Sequence, residues 1–181
     1  MNLKLITSPT AEPVSLEEVK QAARLNNDFD DIIPGLIKAA REAAENFQNV
    51  VYLTQTWKLT MDELPYMPFK IPKAPLQSIE SASLINSNGE TVTIDKANFI
   101  VSTDSNRIWF KPGKGWPQIT LQEFDGVIFT FKAGKTNIQD VSESVKLAIK
   151  VYVAHRIDNP DFDTVPEAFY NLLWPERVVP V

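Results

Sequence analysis

The sequence contains no cysteine, a single histidine and only six glycines among its 181 residues. Without cysteine the chain can form no disulfide, no thiolate metal site and no cysteine nucleophile. One histidine, His155, makes histidine-rich metal sites and the usual catalytic triads unavailable. We therefore expect no enzymatic activity, no cofactor and no bound metal.

Long apolar runs are also missing. No stretch approaches the length that spans a membrane, and the first residues lack the hydrophobic segment of a secretory signal. We expect a soluble protein, made in the cytoplasm, that does not contact a membrane. The formal charge is −5, from 18 basic and 23 acidic residues. The basic residues are scattered, which disfavours tight nucleic-acid binding by the whole domain.

The most regular pattern lies in residues 31–48. Its apolar residues recur at helical spacing, in the order Ile33, Leu36, Ile37, Ala40, Ala44 and Phe47. Asp30 or Asp31 can cap this helix. Before it, Ser15 and Glu18 form a capping-box pattern that predicts a shorter helix.

A comparable helical pattern returns only at residues 142–157, and a short helix with Pro166 at its first position follows. We expect the first two helices to pack against the third. Between helices two and three the pattern changes to short strands, with an Asn-Gly turn at Asn88-Gly89 and an apolar, central strand over 127–133.

These patterns predict an α+β fold, in which a small helical bundle from both chain ends carries an antiparallel all-β insertion between helices two and three. We expect a single domain over 1–181. Its helical parts are 12–50 and 138–174, its β-rich insertion is 54–133, and residues 175–181 are a tail.

Two motifs that suggest ligand chemistry are incomplete. Gly134-Lys135-Thr136 lies between a strand and a helix, but a phosphate-binding loop also needs a glycine where Phe129 stands. Asp158, Asp161 and Asp163 lack the spacing of a calcium loop.

Candidate partner-binding residues are apolar or aromatic residues outside the regular patterns. Trp116 lies in a turn-rich loop and is the aromatic residue of the β-rich region most suited to a functional contact, although packing is the safer interpretation. The end of the chain is unusually apolar and supplies the remaining candidates Trp174, Arg177, Val178, Val179 and Val181. Residues 175–181 are either mobile until a partner binds or folded back onto their own domain.

The order of several short motifs resembles the head–tail connector proteins (adaptor or head-completion proteins) of long-tailed bacteriophages and prophages. The resemblance covers most of residues 9–158 and includes Trp116-Pro117 and the strand that ends in Ala133-Gly134. Its other segments are EPVSLEEVK at 12–20, LIKAAREAAE at 36–45, LTQTW at 53–57, PLQSI at 75–79 and VAHR at 153–156. Ser142 stands where the family pattern leads us to expect proline.

The resemblance implies a non-enzymatic structural protein of the virion neck, made in the bacterial host cytoplasm. Such proteins form a homo-oligomeric ring, typically twelvefold, beneath the portal protein. The ring extends the channel through which DNA passes without sequence-specific binding, and it offers a docking face to the next neck or tail-completion protein. Terminal segments of such proteins take part in docking to the portal.

Two other classes of protein remain open on sequence grounds. One is a β-rich recognition module of a phage tail or baseplate that binds carbohydrate or protein, for which Trp116 is the natural contact residue. The other is an enzyme whose catalytic carboxylates lie among the acidic residues of the β-rich region.

Overall fold

The chain folds into two units, and each unit combines segments that are far apart in the sequence. A computed structural model describes residues 1–160 and 164–178. The β unit consists of Met1–Pro9 and Thr54–Gly134, and the helical unit consists of Thr10–Leu53 and the chain from Lys135 onward. The predicted α+β class is confirmed.

Among the described residues the helical unit contains four α-helices. Short segments that include a 3-10 turn connect α1 to α2, whereas the chain between α2 and α3 passes through the β unit. Helices α1 and α2 both pack against α3, as predicted, and α4 packs against α3 and α2. The helices are α1 (Leu16–Ala23), α2 (Ile33–Gln48), α3 (Glu143–Asp158) and α4 (Glu167–Leu173).

The predicted cap of α1 is present. The Ser15 backbone N–H donates to Oε2 of Glu18 at 2.7 Å, and the Glu18 N–H donates to Oγ of Ser15 at 3.2 Å. The first of these bonds is the main reason that the pKa of Glu18 is lowered. Ser142 caps α3 by accepting from the N–H of Val145 at 3.4 Å.

The predicted cap of α2 is wrong. The residue that precedes the helix is Ile32, which makes no side-chain capping bond. A 3-10 turn over Asn27–Phe29 brings the chain into α2, and Asp30 instead forms an ion pair with Lys20 at 2.7 Å. The start of α4 also differs by one position, because Pro166 is its N-cap and Glu167 its first residue.

Small side chains allow the helices to approach closely. Ala40 and Ala44 of α2 and Ala148 of α3 are completely buried in one apolar core, together with Ile149. Native cores are packed densely enough that an added methylene group is felt. The alanine spacing in α2 therefore determines how near α3 can lie.

Two charged side chains of α2, Arg41 and Glu45, are buried inside this unit. Arg41 of α2 is 1% exposed. Its Nε donates to Glu12 Oε2 at 2.7 Å, and its guanidinium also donates to Glu45 Oε2 at 2.8 Å. Burial opposes the charged form, but the bond to Glu12 and the charges of Glu45, Glu12 and Glu42 outweigh it and raise the pKa of Arg41.

The β unit contains two antiparallel sheets. The five-stranded sheet has the order β1-β2-β8-β4-β5, and the three-stranded sheet has the order β3-β7-β6. The prediction that the last strand is central is confirmed, since β8 pairs with both β2 and β4. The strands are β1 (Asn2–Thr7), β2 (Gln55–Met61), β3 (Phe69–Lys70), β4 (Leu76–Ile85), β5 (Thr91–Ile94), β6 (Phe99–Ser102), β7 (Arg107–Phe110) and β8 (Val127–Ala133).

Strand β1 was not expected from the sequence. It lies at the edge of the five-stranded sheet and pairs with β2, with Leu3 opposite Leu59 and Leu5 opposite Trp57. The β unit is therefore more than an insertion between α2 and α3, because the first residues of the chain complete it.

No helix among the described residues is long and apolar enough to cross a membrane.

We predict that Ala40→Leu lowers the free energy of unfolding by about 1–3 kcal/mol, because the added atoms have no space between α2 and α3. Ala39→Leu is the matched control, since Ala39 is the exposed neighbour on the same helix. Urea denaturation of both variants measures the difference, and equal stabilities would contradict this packing.

We predict that Arg41→Leu lowers the free energy of unfolding by about 3–5 kcal/mol, because it removes the cation that pairs with the buried Glu45 carboxylate. Lys38→Leu, on the exposed face of α2, removes the same charge without uncovering a buried partner. Thermal and urea unfolding should separate the two variants clearly, and similar losses would show that the ion pair stabilises little.

Candidate partner-binding surface

The last described residues fold back onto the carboxyl end of α2. The Val178 N–H donates to the Gln48 carbonyl oxygen at 3.0 Å, and the Asn49 amide donates to the Val178 carbonyl oxygen at 3.1 Å. Nε of Arg177 donates to the Phe47 carbonyl oxygen at 3.1 Å. Residues 175–178 are therefore described in the folded-back arrangement. Val179 and Val181 lie outside the described residues.

Aromatic rings surround this contact and form what we call the C-terminal aromatic surface, made of Phe47, Tyr170, Trp174, Arg177 and Val178. The Phe47 ring lies 4.9 Å from Tyr170 and 5.9 Å from Trp174, centroid to centroid. The Arg177 guanidinium lies over both the Phe47 ring at 4.9 Å and the Trp174 ring at 5.4 Å. Trp174 is nevertheless 63% exposed and Val178 40%. The surface is ordered, yet open to a partner.

Buried hydrogen bonds hold the helices beneath this surface. Gln48 is 1% exposed; its amide donates to the Leu173 carbonyl oxygen at 2.5 Å, and its Oε1 accepts from the Tyr52 hydroxyl at 2.6 Å. Burial raises the pKa of Tyr52, and the charges of Glu45 and Glu176 add to the effect, so that the hydroxyl remains a donor. These bonds fix the end of α4, from which Trp174 projects.

The structure brings together Trp174, Arg177 and Val178 but places Trp116 in the β unit. The Trp116 ring packs edge-on against Phe110, with centroids 4.9 Å apart, and also contacts Phe99 and Phe129. Its Nε1 donates to the Pro65 carbonyl oxygen at 3.4 Å. Trp116 therefore serves the aromatic core of the β unit.

Two residues of the C-terminal aromatic surface were not among the predicted site residues. Phe47 belongs to the apolar stripe of α2 and was taken as ordinary core. Tyr170 lies in the short, crowded helix α4. The excess of aromatic residues at 169–174 was the available signal, but nothing local in the sequence connects that segment to Phe47.

The remaining motifs show structural roles where the structure describes them. Gly134 has a φ of 108°, which favours glycine, and Lys135 Nζ donates to the Asp140 carbonyl oxygen at 2.5 Å. The segment is thus a strand-to-helix connection. Asp161 and Asp163 are outside the described residues, and residues 1–160 and 164–178 contain no cluster of three or more potential metal-ligating side chains.

The whole fold matches solved structures of gene transfer agent particles. A chain in the neck of the empty particle, computed with C6 symmetry, has a TM-score of 0.79 and 18% identity, covering 100% of this chain and 97% of that one. A chain in the neck of the native particle, computed with C12 symmetry, has a TM-score of 0.78 and 17% identity. A chain in the virion of the native particle has a TM-score of 0.77 and 17% identity, and both matches have the same coverage as the first. No protein-family model and no curated protein matches the sequence.

We predict that deleting residues 175–181 lowers the free energy of unfolding by about 1–3 kcal/mol, because the bonds from Arg177 and Val178 to the end of α2 are lost. Deleting only 179–181 is the control, since it keeps those bonds. Urea denaturation measures both truncations, and an unchanged midpoint for the longer deletion would contradict the folded-back arrangement.

Proposed function

We propose that the chain is a structural component of a virion neck, namely a ring-forming head–tail connector of a bacteriophage or prophage. The observation that supports this most is the likeness over the full length of the chain to neck proteins in particles solved with sixfold and twelvefold symmetry. The order of sequence motifs described above points to the same class of protein.

In this proposal about twelve copies, the number suggested by the twelvefold neck, surround a channel between the portal protein and the next neck or tail-completion protein. DNA passes through the ring without being bound in a sequence-specific way. A net charge of −5 suits that role, since a channel that attracted phosphates strongly would retain DNA.

The C-terminal aromatic surface is the docking site that we propose for the portal protein. Exposed tryptophan beside arginine is the composition enriched where binding energy concentrates in protein interfaces. The buried bonds of Gln48 and the contacts of Arg177 preorganise the rings, so little conformational freedom remains to be lost on binding. Val179 and Val181 extend this site in the sequence.

The alternative of a carbohydrate-binding or protein-binding module gains no support from Trp116, because its ring contacts the aromatic core. A non-enzymatic role remains part of the proposal, as does a location in the virion neck after synthesis in the host cytoplasm.

Counting copies in purified particles tests the neck assignment. Quantitative mass spectrometry of the particle that encodes this chain should give about twelve copies per particle, as a C12 ring requires. Antibody labelling should place them at the head–tail junction. Absence from the particle, or a copy number in the hundreds, would overturn the proposal.

We predict that Trp174→Ala weakens binding to the purified portal protein by about 30-fold or more, the loss expected for an aromatic residue at the centre of an interface. The fold should survive, since Trp174 is 63% exposed. Leu147→Ala is the control, because Leu147 is an exposed apolar residue, 49% accessible, elsewhere on the helical unit. Equal affinities for both variants, measured by calorimetry, would remove this surface from the portal contact.

A further inference from the structure

An acidic loop in the β unit presents an apolar side chain to solvent. Residues 122–126 lead into β8, and Phe124 is 73% exposed. It lies between Glu123 and Asp125, which are both exposed. Within the described part of the chain neither carboxylate forms an ion pair with a lysine or arginine. A single exposed phenylalanine is ordinary in itself, but here it is flanked by two carboxylates, so the loop offers apolar surface and negative charge together.

This acidic loop is firmly held rather than loose. The Gln122 amide donates to the Phe124 carbonyl oxygen at 2.6 Å, and the Asp125 N–H donates to Asp62 Oδ1 at 2.9 Å. Asp125 has a φ of 53°, in the left-handed region that aspartate adopts more readily than most residues with a side chain. A Cβ on Gly126 would lie 3.1 Å from the Gln122 carbonyl oxygen, so the turn is also closely packed. The backbone that carries Phe124 is thus held from both sides.

The three-stranded sheet carries a surface of opposite character, which we call the basic sheet face, made of Lys70, Ile100, Arg107 and Trp109. Ile100 is directly opposite Trp109, and Lys70 is directly opposite Arg107. Ile100 is 48% exposed and Trp109 50%, whereas their neighbours along the strands, such as Ile108, are buried. The pair of apolar side chains therefore lies on the outer face, next to two cations.

The two cations of this face destabilise the free sheet. Like charges directly opposite each other on neighbouring strands repel. Neither Lys70 nor Arg107 forms an ion pair with any residue in 1–160 or 164–178. An anionic partner would neutralise both, so the face is complementary to a ligand that combines carboxylates with an apolar group.

We propose that the basic sheet face of one copy binds the acidic loop of the next copy. Phe124 covers the Ile100–Trp109 pair, and Glu123 and Asp125 approach the two cations. This inference rests on the proposed ring, and it names one of the contacts that would close it. The two surfaces share no residue, so the contact is head-to-tail, the kind that generates a ring when the rotation between copies closes.

Cysteine cross-linking tests the contact directly, because the chain has no cysteine of its own. Ser102→Cys, opposite Arg107 in β6, and Glu123→Cys place thiols on the two surfaces and preserve Phe124, Trp109 and both cations. With a short bismaleimide the double variant should give a ladder of covalent oligomers, whereas each single variant can give at most a dimer. A double variant with Thr91→Cys, exposed in β5, in place of Ser102→Cys is the control. A ladder no longer than the control's would overturn the inference.

Charge reversal supplies a second, independent readout. Arg107→Glu should raise the dissociation constant of self-association at least tenfold. Adding Glu123→Arg should bring the dissociation constant most of the way back to the wild-type value. Both residues are exposed, and Arg107→Glu removes the repulsion between Arg107 and Lys70, so melting temperatures should not fall. Ultracentrifugation measures the association. If the wild type forms rings that Arg107→Glu leaves unaffected, this inference is wrong and the proposed function stands. If the wild type forms no ring either alone or in particles, the proposed function fails with it.

Discussion

The helical unit depends on satisfying one buried charge. The Arg41 guanidinium forms ion pairs with two carboxylates. Glu12 precedes α1, and Glu45 lies one turn further along α2. Glu45 then uses its other oxygen to accept from the Tyr52 N–H at 2.9 Å, after the helix has ended. Removing either partner would leave a charge in a poorly hydrated place, so these segments cannot move independently. The Tyr52 hydroxyl in turn donates to the Gln48 side chain, whose amide donates to the Leu173 carbonyl oxygen at the end of α4. The position of Trp174, the next residue, therefore depends on the same set of bonds.

How much of this was predictable depends on how local each cause is. The capping box at Ser15, the stripe of α2 and the Asn-Gly turn act within a few residues, and the structure has all three. Strand β1 has only a short alternation of apolar and polar residues of its own. It is stabilised by pairing with β2, more than 45 positions away. An edge strand of that kind is stabilised by a neighbour that the local sequence does not reveal.

For the C-terminal aromatic surface, too, what could be predicted depends on whether the cause is local in the sequence. An excess of apolar residues near the end of the chain indicated Trp174, Arg177 and Val178, because so short a helix cannot bury them all. That Phe47 joins them, and that residues 175–178 lie against α2, depends on hydrogen bonds between residues about 130 positions apart. Trp116 shows another case: its loop sequence allowed either a contact or packing, and its ring packs against Phe99, Phe110 and Phe129, which are distant in the sequence.

The two proposed contacts differ in how their charges are arranged, and this gives them different physical characters. At the C-terminal aromatic surface the cation, Arg177, already lies over two rings, so a partner gains mainly apolar contact there. On the basic sheet face and the acidic loop, Arg107 and Glu123 have no ion-pair partner within the described residues, so association neutralises formal charges. Salt screens exposed charges over about 8–10 Å at physiological ionic strength but strengthens rather than weakens apolar burial. If both proposals hold, raising the salt concentration should loosen contacts between copies more than it loosens docking to the portal protein.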